Sequence, residues 1–127
     1  MDFSFTYLLD GLWTACSPIN IFWAAVGCLV GTLVGVLPGI GPTSGIAILL
    51  PLTAKLGDPT GSIIMLAAIY YGAMYGGSTT AIMVNIPGEA SSVCTAIDGF
   101  QLAKQGRGGP TLAICAISSW VAGTLGV

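Results

Sequence analysis

The stretch GVLPGIGPTSGIAILLP, Gly35 to Pro51, places three prolines and four glycines inside one of the most apolar parts of the chain. Proline removes a backbone donor and turns the residue before it away from helical geometry. Glycine admits turns and close backbone approach. In hydrocarbon, every freed N–H or C=O is costly unless protein, water or a ligand takes it. A chain carrying such a stretch can therefore fold in lipid only as helices, broken where something polar receives the freed groups.

Composition fixes that solvent. Charged residues are 6% of the 127, hydrophobic residues 54%, and mean hydropathy is +0.91. Soluble domains carry about a quarter charged residues, so these few cannot cover a water-facing surface, and the chain reads as an integral membrane protein. A net charge of -2 gives nucleic acid nothing to bind. Cys16, Cys28, Cys94 and Cys115 lie far apart, read as small buried hydrophobes, and the absence of histidine removes Ser-His and Cys-His nucleophile pairs. No zinc site, cofactor or enzymatic centre is expected.

Four apolar blocks follow one another. The first, Pro18 to Leu37, has the length of one bilayer crossing. Ahead of it, residues 1–17 carry Asp2, Asp10, aromatics and no basic residue, which reads as a retained amphipathic lead-in rather than a cleaved signal. Trp13, Phe22 and Trp23 suit the headgroup level. The second block, Thr43 to Ala54, is short enough for a half-crossing or re-entrant helix. Asp58-Pro59 reads as a helix start. The third block, Gly61 to Ile86, can cross with a tilt or a break. The fourth begins at Pro110 and is still apolar at Val127, so the chain reads as the N-terminal part of a longer polytopic protein.

Gly27, Gly31, Gly35 and Gly39 recur every four residues and mark a helix face for close packing. Packing does not account for Pro38-Gly39-Ile40-Gly41-Pro42. A helix restarting after Pro42 would aim its free N–H groups at a cavity, with the Thr43 and Ser44 hydroxyls beside them, and that suits a carboxylate. A plain proline kink between two helices is the competing reading. GIGPTSG lacks both GxGxxG spacing and a phosphate-loop lysine.

A second constellation runs from Tyr70 to Ser92. Gly72, Gly76 and Gly77 are expected to interrupt the third span, with Ser78, Thr79 and Thr80 directly after them. Asn85 and Glu89 flank Pro87-Gly88. Glu89 is either a site residue inside the membrane or a helix-start charge at its surface. From Glu89 to Gln105 the pattern is amphipathic, with Val93, Ile97, Phe100 and Ala103 on the apolar side and Asp98 facing water. Gly106, Gly108 and Gly109 end that helix, and Lys104 and Arg107 assign its loop to the cytoplasm.

GVLPGIGPTSGIAILLPLT, followed by AIYYGAMYGGSTTAIMVNIPGEASSVCTAIDGFQLAKQGRGGPTLAI, resembles the signature regions of the large membrane subunit of tripartite tricarboxylate transporters, the TctA family. The resemblance runs from about Trp23 onward and rests on both blocks in this order. It implies a secondary transporter for carboxylates such as citrate, driven by a cation gradient in the bacterial inner membrane. A small membrane subunit and a periplasmic substrate-binding protein are the implied partners, and two related halves the implied architecture.

The expected fold is all-α, a polytopic membrane protein with discontinuous helices. Residues 1–127 form part of one transporter domain. The expected substrate site comprises Pro38, Gly39, Ile40, Gly41, Pro42, Thr43 and Ser44 with Gly76, Gly77, Ser78 and Thr79. Asn85 and Glu89 are the candidates for ion coupling, to sodium or protons. A channel subunit and a membrane-embedded enzyme are the alternatives.

Overall fold

The computed structural model describes residues 3–126; Asp2 of the lead-in and Val127 of the fourth block lie outside them. The described residues are helical, with no strand among them. The helices are α1 (Phe3–Ala15), α2 (Pro18–Val36), α3 (Gly41–Ala54), α4 (Pro59–Val84), α5 (Val93–Leu102) and α6 (Gly108–Leu125). A 3-10 turn, Ala90–Ser92, leads into α5, and a π turn, Ala103–Arg107, joins α5 to α6. Two stretches are long and apolar enough to cross a membrane: Pro18–Val36, and the run Ala90–Leu125, which bends at Gly106 (φ 78°).

The centre of the fold is the pair α2 and α4, lying parallel. Gly27 faces Met65, Gly31 faces Ile69 and Gly35 faces Ala73, so each step of four along one helix meets a step of four along the other. Gly72 and Gly76 return the contact against the backbone of Cys28, Thr32 and Gly35. A Cβ at Gly27 would stand 2.6 Å from the Met65 carbonyl oxygen, which no side chain can tolerate. This is small-residue packing of the kind that lets membrane helices touch through their backbones. The expected stripe ends at Gly35, however. Gly39 is exposed with φ 85° and nothing near its missing Cβ, because the helix has already stopped.

The glycines of α4 correct a second expectation. Gly72, Gly76 and Gly77 do not break the span; α4 continues unbroken to Val84. Their neighbours supply the reason: at Gly72 and Gly76 the space a side chain would need is filled by the backbone of α2, and Gly77 stands in ordinary contact with Gly88. The real interruption comes at Asn85, whose left-handed backbone (φ 61°) closes α4.

Between the two parallel helices, α3 returns over 14 residues, about 21 Å. It packs on both, with Gly45 against Val34 and Ile69. The Asp58 side chain caps α4 as the sequence predicts, accepting from the N–H groups of Thr60 (3.2 Å) and Gly61 (3.1 Å). The Ser62 hydroxyl donates to the Thr53 carbonyl at 2.8 Å and ties the end of α3 to the start of α4. Trp23 is half-buried beside Gly61.

The expected apolar side of α5 is split: Phe100 and Ala103 are half-buried while Val93 and Ile97 are exposed, and the buried positions are Ala96 and Gly99 beside it. Gly99 lies against Ile82, so the smallest residues take the tight contact and the larger ones face outward. Asp98 is exposed, as expected. Only Gly106 ends this helix; Gly108 and Gly109 already open α6, which runs back along α4 from Met83 at Gly108 to Tyr71 at Gly123. The cysteines correct another reading: all four are free, Cys16, Cys28 and Cys94 are exposed, and Cys115 is half-buried. An apolar thiol facing outward is at no disadvantage where the surroundings are lipid.

Candidate functional site

Leu37 to Ile40 form the first break. Leu37 closes α2 with extended backbone, Gly39 and Gly41 both take positive φ (85° and 65°), and α3 starts at Gly41. Pro38 and Gly39 are exposed, Ile40 and Gly41 half-buried, Pro42 buried, and Thr43 and Ser44 exposed. The residue before α3, Ile40, provides no side-chain cap. The first N–H groups of α3 therefore stand beside two hydroxyls with no capping side chain over them, an arrangement suited to a carboxylate oxygen.

Asn85 to Glu89 form the second break. Asn85 is exposed, Gly88 buried and Glu89 half-buried in extended conformation (φ -153°). The buried Ser92 hydroxyl accepts from the Glu89 N–H at 3.2 Å and donates to the Glu89 carbonyl at 2.9 Å. Glu89 thus stands at the start of the 3-10 turn.

The two breaks open at one level. Thr80 donates to the Val36 carbonyl at the end of α2 (3.1 Å) and shares that donor with the Gly76 carbonyl (3.1 Å). Gly88 packs against Gly77, 2.9 Å from its missing Cβ to the Gly77 Cα, with the Gly35 carbonyl 3.5 Å away. The last turn of α2, the segment Gly76–Thr80 and the Pro87-Gly88 turn therefore meet. Ser78 and Thr79 are half-buried in this segment, with hydroxyls bonded back to the carbonyls of Met74 (3.1 Å) and Tyr75 (3.0 Å). Each keeps an oxygen lone pair for a ligand donor or cation.

Thr80 and Gly88 were not among the expected site residues, yet they join the breaks. The sequence signal for Thr80 is its place four residues after Gly76, on the packing face of α4. A separate open groove of about 570 Å³ is apolar, is lined by Cys28, Tyr71, Tyr75 and Trp120 among others, and holds none of the expected site residues. No group of three or more metal-ligating His, Cys, Asp or Glu side chains occurs among the described residues.

Comparison with known proteins gives concordant results. Residues 21–127 match the Tripartite tricarboxylate transporter TctA family. A relative from Agrobacterium vitis, described as an uncharacterized 52.8 kDa protein in the TAR-I ttuC' 3'region, is 61% identical over 113 residues. That alignment covers 89% of this chain and 22% of the relative, so the chain spans about a fifth of the relative's length. No solved structure gives a significant match. With the family match extending from the first membrane-length helix through α6, the chain belongs to the tripartite tricarboxylate transporter TctA family.

Proposed function

We propose that this chain is part of the large, multi-pass subunit of a secondary transporter in the bacterial inner membrane. It carries tricarboxylates or related carboxylates by alternating access, driven by a sodium or proton gradient. A small membrane subunit and a periplasmic binding protein complete the system, and no chemistry is performed on the substrate. The observation that carries this reading is the meeting of two helix breaks at one level, in a chain of this family.

In this reading a substrate carboxylate is held by the backbone amides of Gly39 to Ser44, Gly39 and Gly41 giving the close approach and Thr43 and Ser44 adding hydroxyls. Proline 38 and proline 42 lack N–H groups and shape the turn instead. Gly76 and Gly77 keep the wall of the site thin, and Ser78 and Thr79 face it with their hydroxyl oxygens. Carbonyls freed at the second break, with Asn85 and Glu89, coordinate the coupling cation. The 14-residue length of α3, short of a full crossing, supports reading it as a discontinuous helix.

The test is uptake of labelled citrate into proteoliposomes holding the complete transporter and its binding protein. Accumulation above the outside concentration, abolished when an ionophore collapses the cation gradient, is the expected result. Equilibration without accumulation would make the subunit a channel, and uptake indifferent to the binding protein would make it a stand-alone carrier.

A further inference from the structure

Helix α1 is the part of the chain that the fold does not use. Its apolar residues Phe5, Leu8, Leu9, Leu12 and Trp13 follow helical spacing on one face, and all are more than half exposed. Asp10 and Thr14 lie on the other face. The family match begins at residue 21, beyond α1. What ties α1 to the bundle is an elbow: Ser17 takes extended backbone, Pro18 opens α2, and the Asn20 amide donates to the Thr14 carbonyl at 2.7 Å. Asn20 is only 4% exposed, so this tie is sheltered inside the elbow.

We propose that α1 lies in the membrane interface as an in-plane anchor, its Phe5–Trp13 stripe sunk among the headgroups and upper acyl chains, and that the Asn20–Thr14 bond sets the angle at which it leaves α2. Two observations select lipid as what covers the stripe. The elbow is continuous with α2, the 19-residue helix of mean hydropathy 2.0 that is long enough to cross, so α1 begins where that crossing meets the headgroups. Trp13 stands at that end of the stripe, where an indole is favoured. The attachment is apolar, not electrostatic: the first basic residue in the sequence is Lys55, and Asp10 is the one charge on α1. Neutral lipid should suffice, and anionic lipid should add nothing. This reading of α1 stands whether or not the carboxylate site is placed correctly.

The experiment uses the full-length polypeptide in phosphatidylcholine vesicles whose lipids carry bromine either near the top of the acyl chains or near their ends. The difference in tryptophan emission between the parent and Trp13→Phe isolates Trp13. Shallow bromine should remove about twofold more of that signal than deep bromine, and aqueous iodide should remove little. Adding anionic lipid should leave the pattern unchanged. Leu12→Asp should shift Trp13 toward iodide quenching, whereas Gly11→Asp, the same charge one residue away on the polar face, should not. Strong iodide quenching in the parent would place α1 in water. Quenching by neither agent would mean that protein covers it, and equal or deeper bromine quenching would mean that it enters the bilayer core. Each of these three results overturns the proposal, and unchanged helical circular dichroism in both variants keeps misfolding out of the comparison.

Discussion

Gly31 and Gly41 are both glycines in the same apolar region, and they serve opposite ends. Gly31 is buried, with the Ile69 backbone occupying the place a Cβ would take. Gly41 has open space around it but a φ of 65°, which L side chains rarely adopt. Gly31→Ala should push α2 and α4 apart and cost about 1–3 kcal/mol, as overpacking does. Gly41→Val should cost about 1–2 kcal/mol in backbone strain and obstruct the approach of a ligand. Measured on the full-length subunit, the first should lower the unfolding midpoint with affinity largely kept in what still folds, and the second should weaken substrate binding. The reverse pattern would make the break structural. Thr80→Val should remove the bond to Val36 and cost about 0.5–1.5 kcal/mol of stability. At this scale the sequence was informative where spacing repeats, as at Gly27, Gly31 and Gly35. It was silent at Gly39, which fits the same spacing but lies past the end of its helix, because periodicity carries no information on φ.

Helix ends are where local chemistry was most readable. Asp58-Pro59 combines a capping carboxylate with a residue that needs no donor, and α4 starts there. Asp58→Ala should cost about 0.5–2 kcal/mol, and Asp58→Asn much less, by thermal unfolding in detergent. At the other end, Asn85 takes the left-handed turn; Asn85→Gly should leave α4 intact, while Asn85→Val should destabilise it by about 1–2 kcal/mol. The glycines inside α4 were misread as a break because a glycine in isolation signals flexibility. Only the partner helix reveals that Gly72 and Gly76 are contact points, and that partner lies some forty residues away in the chain. The exposure of Val93 and Ile97 beside the buried Ala96 and Gly99 on α5 has a related reason. In water the larger apolar residues go inside, whereas beside lipid they face out and the small ones pack.

For the whole molecule, the parallel course of α2 and α4 places the α1–α2 elbow and the Asp58 turn toward one end, and the Gly106 bend toward the other. If Lys104 and Arg107 mark the cytoplasmic side, cysteines introduced at Gly57 and at Gln105 should label from opposite faces of sealed vesicles with a membrane-impermeant maleimide, after Cys16, Cys28, Cys94 and Cys115 are replaced. Labelling of both from one face would break the assignment. The 19 residues of α2 rise about 28 Å before the first break, so the breaks gather toward one end of the pair and not at its middle. Fold class was legible from composition and the two Pro-Gly turns were legible as interruptions. Their meeting at one level was not, since it depends on the Thr80–Val36 bond and the Gly77–Gly88 contact across distant segments.

The seam between α2 and α4 also limits how such a molecule can move. Its two surfaces interlock at Gly27, Gly31, Gly35, Gly72 and Gly76, each set against the backbone of the other helix. Sliding would demand a jump of about 5.4 Å, one full turn, with both helices lifted clear of each other. The pair should therefore travel as a single stiff strut, and any rearrangement must be taken up by its joints, Leu37–Ile40 and Asn85–Glu89. Rigidity along the shaft leaves those two short segments as the places where the chain can bend.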